Sequence, residues 1–235
     1  MLLPDKVRRL SLHFGSATYA TTPASTRLSQ VRSLFFFGLF NCMPSLMVFK
    51  FFRVLNLRLW VDLGNMSLDL TRISELFRLR YLHVTCSAIV KLPDQIEAMK
   101  HLETLEINSR VCAIPPDIVC LPSLLHLCLR GGTNLPDGIG HIRSLRTLKY
   151  FDLGDNSEDN LWSLGELTNL RDLHFTYSRL PSSEHLKRNL IALASSLGKL
   201  CNLKSVTLAP GTAGIVVLVD GSSSMSSAPV FLERL

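Results

Sequence analysis

The sequence predicts an α/β solenoid, in which each coil contributes one short strand and one helical or irregular arc. Three observations lead to this prediction. A six-residue pattern, L-x-x-L-x-L, with Ile, Val or an aromatic residue at some Leu positions, recurs along the chain. Its copies follow one another at intervals that mostly lie in or near about 20–29 residues. Between the copies, apolar residues return at close to helical spacing.

Nine copies of the hexamer lie in phase along the chain. They begin at Val7, Val31, Phe52, Leu79, Leu102, Leu124, Leu145, Leu170 and Leu203. Each copy has the pattern of a short strand, because alternation sends the Leu positions to one face and the x positions to the other. A single coil cannot bury its apolar face, so the coils must stack into one continuous core. The prediction is a leucine-rich-repeat horseshoe, with parallel strands on the concave face and short helices or irregular arcs on the convex face.

The arcs between the strands carry a second pattern. At residues 89–96, 114–118 and 135–139, a proline follows an apolar residue and an aspartate comes soon after it. The proline cannot continue a strand ladder, and the aspartate is expected to cap a short helical turn. Two arcs are longer than the rest. Residues 154–160 form a polar, acidic loop, and residues 182–200 predict a longer convex helix.

The repeat also sets the expected domain boundaries. We expect one domain at residues 5–235, with about nine repeats, after a short lead at 1–4. Residues 209–229 are predicted to be a loop between repeats, and 230–235 start a further hexamer. The D-x-S-x-S segment at Asp220 resembles a metal-ion adhesion motif, but that motif requires a long doubly wound domain after it. With no polar cap on its last coil, the sequence is expected to be a fragment of a longer protein.

Composition and motifs argue against several classes of function. The 25 Lys and Arg exceed the 19 Asp and Glu by only 6, without the clustered basic stripe of a nucleic-acid binder. The six cysteines form no C-x-x-C pair, so we predict no metal, no cofactor and a reducing compartment. The apolar stretch 34–49 is short and interrupted for a membrane span, and the N-terminus does not have the pattern of a signal peptide. We expect neither a membrane nor a nucleic-acid partner.

The candidate binding residues are the strand positions that point away from the core. In the hexamer from Leu145, Tyr150 holds the last inward position and Phe151 the next outward one. The residues predicted to bind a partner on the concave face are Arg58, Tyr81, His83, Glu106, His126, Arg130, Lys149, Phe151 and His174. This cationic and aromatic set is typical of interface hot spots, and its charge would steer acidic partners. Its histidines lie on different repeats without a nucleophile, so we do not predict an enzyme.

Several segments resemble one known family. They are FRVLNL at 52–57, LRYL at 79–82, LPDQI at 92–96, and the openings KVRRL at 6–10 and VRSL at 31–34. They resemble the repeat domain of plant nucleotide-binding leucine-rich-repeat disease-resistance proteins, in particular the coiled-coil class from grasses. The resemblance implies a recognition and regulatory module of an intracellular immune receptor, located in the cytoplasm, the nucleus or peripherally at the plasma membrane.

The partner implied by the resemblance is a protein: a pathogen effector, a guarded host protein, or the receptor's own nucleotide-binding domain in a longer chain. The phosphate-binding loop G-x-x-x-x-G-K-[ST] does not occur in this sequence, so nucleotide binding is not carried over to it. The alternative is a general leucine-rich-repeat scaffold or adaptor for intracellular protein assembly. A nucleotide-binding domain encoded upstream would favour the receptor over the scaffold.

Overall fold

The computed structural model describes residues 7–14, 30–60, 67–130, 134–177 and 183–210. The Asp220 segment, the hexamer at 230–235 and all but the first two residues of the 209–229 loop lie outside these ranges.

Parallel strands, one per coil, form the main sheet. In chain order the strands are β1 (Arg9–Phe14), β2 (Ser33–Leu39), β3 (Val54–Trp60), β4 (Ser67–Asp69), β5 (Tyr81–Cys86), β6 (Ile89–Lys91), β7 (Thr104–Ile107), β8 (His126–Leu129), β9 (Thr147–Asp152), β10 (Asp172–Tyr177) and β11 (Ser205–Pro210). Nine of them make one sheet in the order β1-β2-β3-β5-β7-β8-β9-β10-β11, and β4 pairs with β6 in a small second sheet. The predicted solenoid is therefore confirmed.

The hexamer anchors lie side by side across the main sheet. The paired positions are Leu10, Leu34, Leu55, Leu82, Leu105, Leu127, Leu148, Leu173 and Val206. All of these leucines are buried in one continuous core. The apolar stretch 34–49 contributes most of β2 and two short 3₁₀ turns to the coil.

Short 3₁₀ turns make up most of the arcs. They span Phe40–Cys42, Leu46–Val48, Thr71–Glu75, Ile96–Ala98, Pro116–Cys120, Ile139–His141 and Leu164–Glu166. The expectation that the motif aspartates cap these turns is wrong, because the turns at 96–98, 116–120 and 139–141 have no side-chain cap. The carboxylate of Asp117 instead accepts the backbone N–H of Glu97 in the preceding coil, at 3.0 Å. Asp117 therefore ties neighbouring coils together.

A shared set of backbone hydrogen bonds fixes where each strand begins. One residue before each main-sheet strand from β1 to β10, a carbonyl oxygen accepts two N–H groups from the next coil, at 2.7–3.1 Å. For example, Arg8 O accepts the N–H groups of Arg32 and Ser33. The carbonyls belong to Arg8, Arg32, Arg53, Arg80, Glu103, Leu125, Arg146 and Arg171. We call this series the carbonyl spine. It runs without a break from β1 to β11.

The two long arcs are helical, and the first is fixed by buried polar groups. α1 (Glu158–Ser163) begins after Ser157, whose hydroxyl accepts the N–H of Asn160, and α2 (Ser183–Lys199) packs against it. Asn156 is buried: its amide donates to the carbonyl of Asp152 at 2.8 Å and accepts the N–H of Leu135 at 2.9 Å. The predicted helix over 182–200 is confirmed. The polar loop at 154–160 is not only surface decoration, because Asn156 is buried at its base.

Strand β9 departs from the regular alternation at one residue. His174 pairs with Lys149 and the next residue, Phe175, pairs with Phe151, so Tyr150 is an extra residue in the strand. Its φ of 63° lies in the left-handed region. The extra residue reverses the alternation that follows it. Phe151 therefore faces the core, where it is 1% exposed and packs edge-on against Phe175, with ring centroids 6.1 Å apart.

This bulge corrects one candidate binding residue. The prediction that Phe151 lies on the exposed face is wrong, because the backbone turn at Tyr150 moves the following residue to the other side of the sheet. Tyr150, predicted to point inward, takes the outward position beside His174 instead.

The two neighbouring aromatic residues give a direct test of the bulge. Replacing Phe151 by Ala is expected to lower the free energy of unfolding by about 3–5 kcal/mol, since it removes a buried ring. Tyr150→Ala is the matched control and should cost much less, because that ring is only half-buried. Urea unfolding followed by circular dichroism measures both. Equal costs, or a larger cost at Tyr150, would contradict the bulge.

The buried amide of Asn156 makes a second prediction. Asn156→Ala should lower the free energy of unfolding by about 1–3 kcal/mol, because the buried N–H of Leu135 loses its acceptor. The same measurement on Asp94→Ala, an exposed arc residue, serves as the control and should change little. A cost for Asn156→Ala no larger than that of the control would show that the N–H of Leu135 does not depend on it.

Candidate functional site

The candidate site is the face of the main sheet that points away from the core, here called the recognition face. Because the strands are in register, equivalent positions of successive coils lie about 4.8 Å apart. One such series, the central row, crosses eight strands. It consists of Phe35, Asn56, His83, Glu106, Cys128, Lys149, His174 and Thr207. Each side chain in the row is therefore flanked by those of the neighbouring coils.

At the N-terminal side, the recognition face carries an aromatic and cationic stack. The ring of Phe37 lies nearly parallel to that of His13, with centroids 4.7 Å apart. The guanidinium of Arg58 lies 5.3 Å from the centre of the same Phe37 ring. This geometry is a cation–π contact. Arg58 is thus on the face as predicted, with its position fixed by a neighbouring strand.

Three of the candidate residues meet near the middle of the face. The imidazole Nδ1 of His83 lies 3.4 Å from the hydroxyl of Tyr81 and 3.6 Å from a carboxylate oxygen of Glu106. Its Nε2 shares a 2.9 Å hydrogen bond with the hydroxyl of Thr85. These neighbours bury His83, and the burial lowers its pKa although Glu106 acts in the opposite direction. The neutral ring is therefore favoured over the charged one.

A hydrogen-bonded chain crosses the next three strands. His126 Nδ1 lies 3.0 Å from the hydroxyl of Thr147, which in turn donates to the carboxylate of Asp172 at 3.4 Å. Because Thr147 donates to the carboxylate, the imidazole must donate to Thr147. A nucleophilic hydroxyl requires the reverse order, with the histidine accepting its proton. The arrangement positions side chains and does not activate a nucleophile.

The bulge brings further groups together at the C-terminal side. The Tyr150 ring lies 5.8 Å from the guanidinium of Arg130 and meets the ring of His174 edge-on, with centroids 4.9 Å apart. Beside them an open cleft of about 470 Å³ is lined by residues that include Lys149, Asp172 and His174.

Tyr150 and Asp172 lie on this face but were not among the predicted binding residues, although Asp172 holds the outward third position of its hexamer. A signal for Tyr150 does exist in the sequence. The apolar residues alternate at Leu148 and Tyr150, and then again at Phe151 and Leu153, so the alternation shifts by one residue at this point. Of the residues predicted to form the site, the structure places Tyr81, His83 and Glu106 in one group. It places Arg130, Lys149 and His174 around the bulge and its cleft, and His126 against Thr147 in the wall of that cleft. Arg58 contacts Phe37 and lies close enough to His83 to influence its charge.

Metal-binding chemistry has little support in the described residues. Over these ranges, no group of three or more His, Cys, Asp or Glu side chains could hold a metal ion. The six cysteines are free thiols, and burial raises the pKa of Cys128 in the central row to about 11. That thiol therefore stays protonated at neutral pH. None of the helices within the described ranges is long and apolar enough to cross a membrane.

Comparison with known proteins agrees with the repeat and with its family. A family model described as a leucine-rich repeat region matches residues 30–233. The disease resistance protein RGA5 of Oryza sativa subsp. japonica is 57% identical over 230 residues, covering 97% of this chain and 21% of that protein. The rice disease resistance protein PIK6-NP is 25% identical over 267 residues, covering 98% of this chain and 25% of that protein.

A third relative, the rice disease resistance protein Pik-2, is 25% identical over 240 residues, or 87% of this chain and 23% of that protein. The chain thus spans between a fifth and a quarter of the length of these relatives. The stacked parallel strands, the buried leucine anchors and the match over most of the sequence lead to one conclusion. The chain belongs to the leucine-rich repeat region family, and its relatives are plant disease resistance proteins.

Proposed function

We propose that this chain is the protein-recognition and regulatory module of an intracellular plant immune receptor. The observation that carries the proposal is the 57% identity to a rice disease resistance protein along 97% of the chain. The partner would be a pathogen effector, a guarded host protein, or the nucleotide-binding domain of the longer receptor. The proposed location is the cytoplasm, the nucleus or the inner surface of the plasma membrane, and the proposed role is binding and not catalysis.

The chemistry of the recognition face supports a protein partner. Arg58 and Arg130 are exposed cations that each lie over an aromatic ring, and Lys149 is exposed in the central row. Arginine and aromatic side chains are enriched in interface hot spots. Because the neutral form of His83 is favoured, the positive charge comes from arginine and lysine and does not depend on histidine protonation. Such a face suits a partner with an acidic surface.

A general scaffold for intracellular protein assembly is the second candidate, because the same face could hold a partner without any immune signal. The two candidates differ in what happens within a whole receptor. An immune module must support a pathogen-dependent defence response, whereas a scaffold need not.

A chimera tests the proposal against this alternative. We expect the chain to retain pathogen-triggered defence when it replaces the matching fifth of the 57% identical rice protein in rice cells. Neutralising the face by Arg58→Gln, Arg130→Gln and Lys149→Gln should abolish most of the response, because hot-spot losses of this kind weaken binding about tenfold or more. The response is measured as defence-gene induction at equal protein levels.

The matched control for the chimera neutralises three exposed cations of the arcs, by Lys50→Gln, Arg143→Gln and Lys199→Gln. Both triple variants lower the net charge by the same amount, so a defence response that falls equally in both would reflect charge alone. An inert but folded wild-type chimera would contradict the immune module and favour the scaffold.

The buried His83 and the half-buried His126 and His174 predict how stability depends on pH. Burial lowers the pKa of His83, His126 and His174 below the ordinary value of 6.5. Below pH 6.5 the unfolded chain therefore binds more protons than the folded one, and stability falls as the pH decreases. We expect the urea midpoint to be lower at pH 5.5 than at pH 7.5, and His83→Asn to reduce this difference.

His101→Asn, which removes an exposed histidine of an arc, is the control for this measurement. The urea midpoint of His83→Asn could depend on pH as strongly as that of His101→Asn. In that case the buried ring of His83 would not be the group that titrates.

A further inference from the structure

We propose that the bulge of β9 anchors an acidic side chain of the protein partner, with its carboxylate bound by Lys149 and His174 beside Tyr150. This inference rests on the proposed function, since it assigns a partner chemistry to the C-terminal side of the recognition face. Three kinds of observation on the described residues support it: the backbone conformation at Tyr150, the hydrogen-bonding state of His174, and the charges around the cleft.

The backbone conformation of Tyr150 is the first observation. Among the described residues other than glycine, only Tyr150 has a positive φ, at 63°. A bulky residue is uncommon in this region, and glycine or asparagine would form the same bulge at a lower cost. Strained residues of this kind concentrate at functional sites. The presence of tyrosine instead of glycine therefore indicates that the side chain itself has a role.

The hydrogen bonding of His174 is the second observation. The backbone N–H of Tyr150 donates to Nδ1 of His174 at 3.3 Å, so Nδ1 must be the accepting nitrogen. Burial and nearby Lys149 lower the pKa of this histidine, which keeps the ring neutral at pH 7. A neutral ring that accepts at Nδ1 carries its proton on Nε2. The bulge thus fixes His174 as a hydrogen-bond donor in the wall of the cleft.

The charges around the cleft are the third observation. In the part of the chain that the structure describes, no carboxylate forms an ion pair with Lys149 or Arg130. The carboxylate in the cleft, Asp172, already accepts the hydroxyl of Thr147. Two unpaired cations and one neutral donor therefore remain available for an anion. A charge-assisted hydrogen bond from lysine to a carboxylate is among the stronger polar contacts.

The occupant we favour is a carboxylate on a protein and not a free polyphosphate. The cleft is open along the sheet and has the Tyr150 ring in its wall, next to Arg130. An aromatic anchor beside a pocket is typical of protein interfaces. Asp172 also lies in the cleft, and its charge repels a multiply charged phosphate more than a single carboxylate. A side chain of Asp or Glu fits the volume and the charge.

Selection from a display library of random 12-residue peptides on the immobilised full chain tests the inference. Retained peptides are resynthesised with a fluorescent label, and their Kd is measured by anisotropy. We expect an Asp or Glu in these peptides whose change to Asn or Gln weakens binding about tenfold. Lys149→Gln should weaken the acidic peptide about tenfold and the neutralised peptide hardly at all, which is the coupling expected of a direct contact.

Each other outcome has a definite meaning. Peptides that depend on Arg58 or His83, and not on Lys149 and Tyr150, would overturn this inference and leave the proposed function standing. Binding that is displaced by millimolar inorganic phosphate, with no acidic residue in the peptide, would identify a small-anion site and also overturn it. If no peptide is retained, or if no change on the recognition face affects the peptides that are, both proposals fail.

A glycine variant separates recognition from folding. Tyr150→Gly relieves the positive φ and keeps the bulge, but it removes the ring from the wall of the cleft. We expect an unchanged or raised Tm together with weaker binding of the acidic peptide, about tenfold. Arg9→Gln, at the opposite end of the same face, is the matched control for binding. A Tyr150→Gly chain that binds the peptide as wild type does would contradict a role for this side chain.

Discussion

The carbonyl spine aligns the first residues of neighbouring strands across the main sheet. Each spine carbonyl accepts two N–H groups of the following coil, so the next strand can start at only one position relative to the last. A slip of one residue would turn all side chains of that strand to the opposite face. The buried leucine ladder and the recognition face are thus two results of one backbone constraint. Coils of unequal length can be accommodated because the spine fixes only the strand.

Side chains of the arcs reinforce this constraint at the positions just before the first anchor of a hexamer. Ser144, Asn169 and Asn202 each donate to a backbone carbonyl of the preceding coil, at 2.8 Å. Asp117 makes a similar bond to the preceding coil in the opposite sense, as an acceptor. Each bond links only neighbouring coils, as expected of a solenoid whose stability is a sum of nearest-neighbour terms. Polar residues in the arcs therefore set the stacking, while the leucines supply the buried area.

The features that recur in every coil could be predicted from the sequence. Nine hexamers in phase gave the parallel strands, their register and most of the outward positions, because a period of two residues is a property of every regular strand. The sequence was insufficient where a feature depends on a neighbouring coil. His83 is outward by alternation, yet Tyr81, Thr85 and Glu106 bury it. The bond from Asp117 to the preceding coil could not be predicted for the same reason. Residue propensities describe one segment and do not include its contacts with the neighbouring coil.

The bulge at Tyr150 shows how a departure from the repeat can serve both the core and the face. The turn that exposes Tyr150 also directs Phe151 against Phe175, so the buried ring pair holds the backbone in the conformation that presents the tyrosine. The cost of a positive φ is then offset by burial on the other side of the same strand. Among the described strand pairs of the main sheet, the register shifts only at this bulge. The irregular backbone is stable there because the ring of Phe151 is buried beneath it.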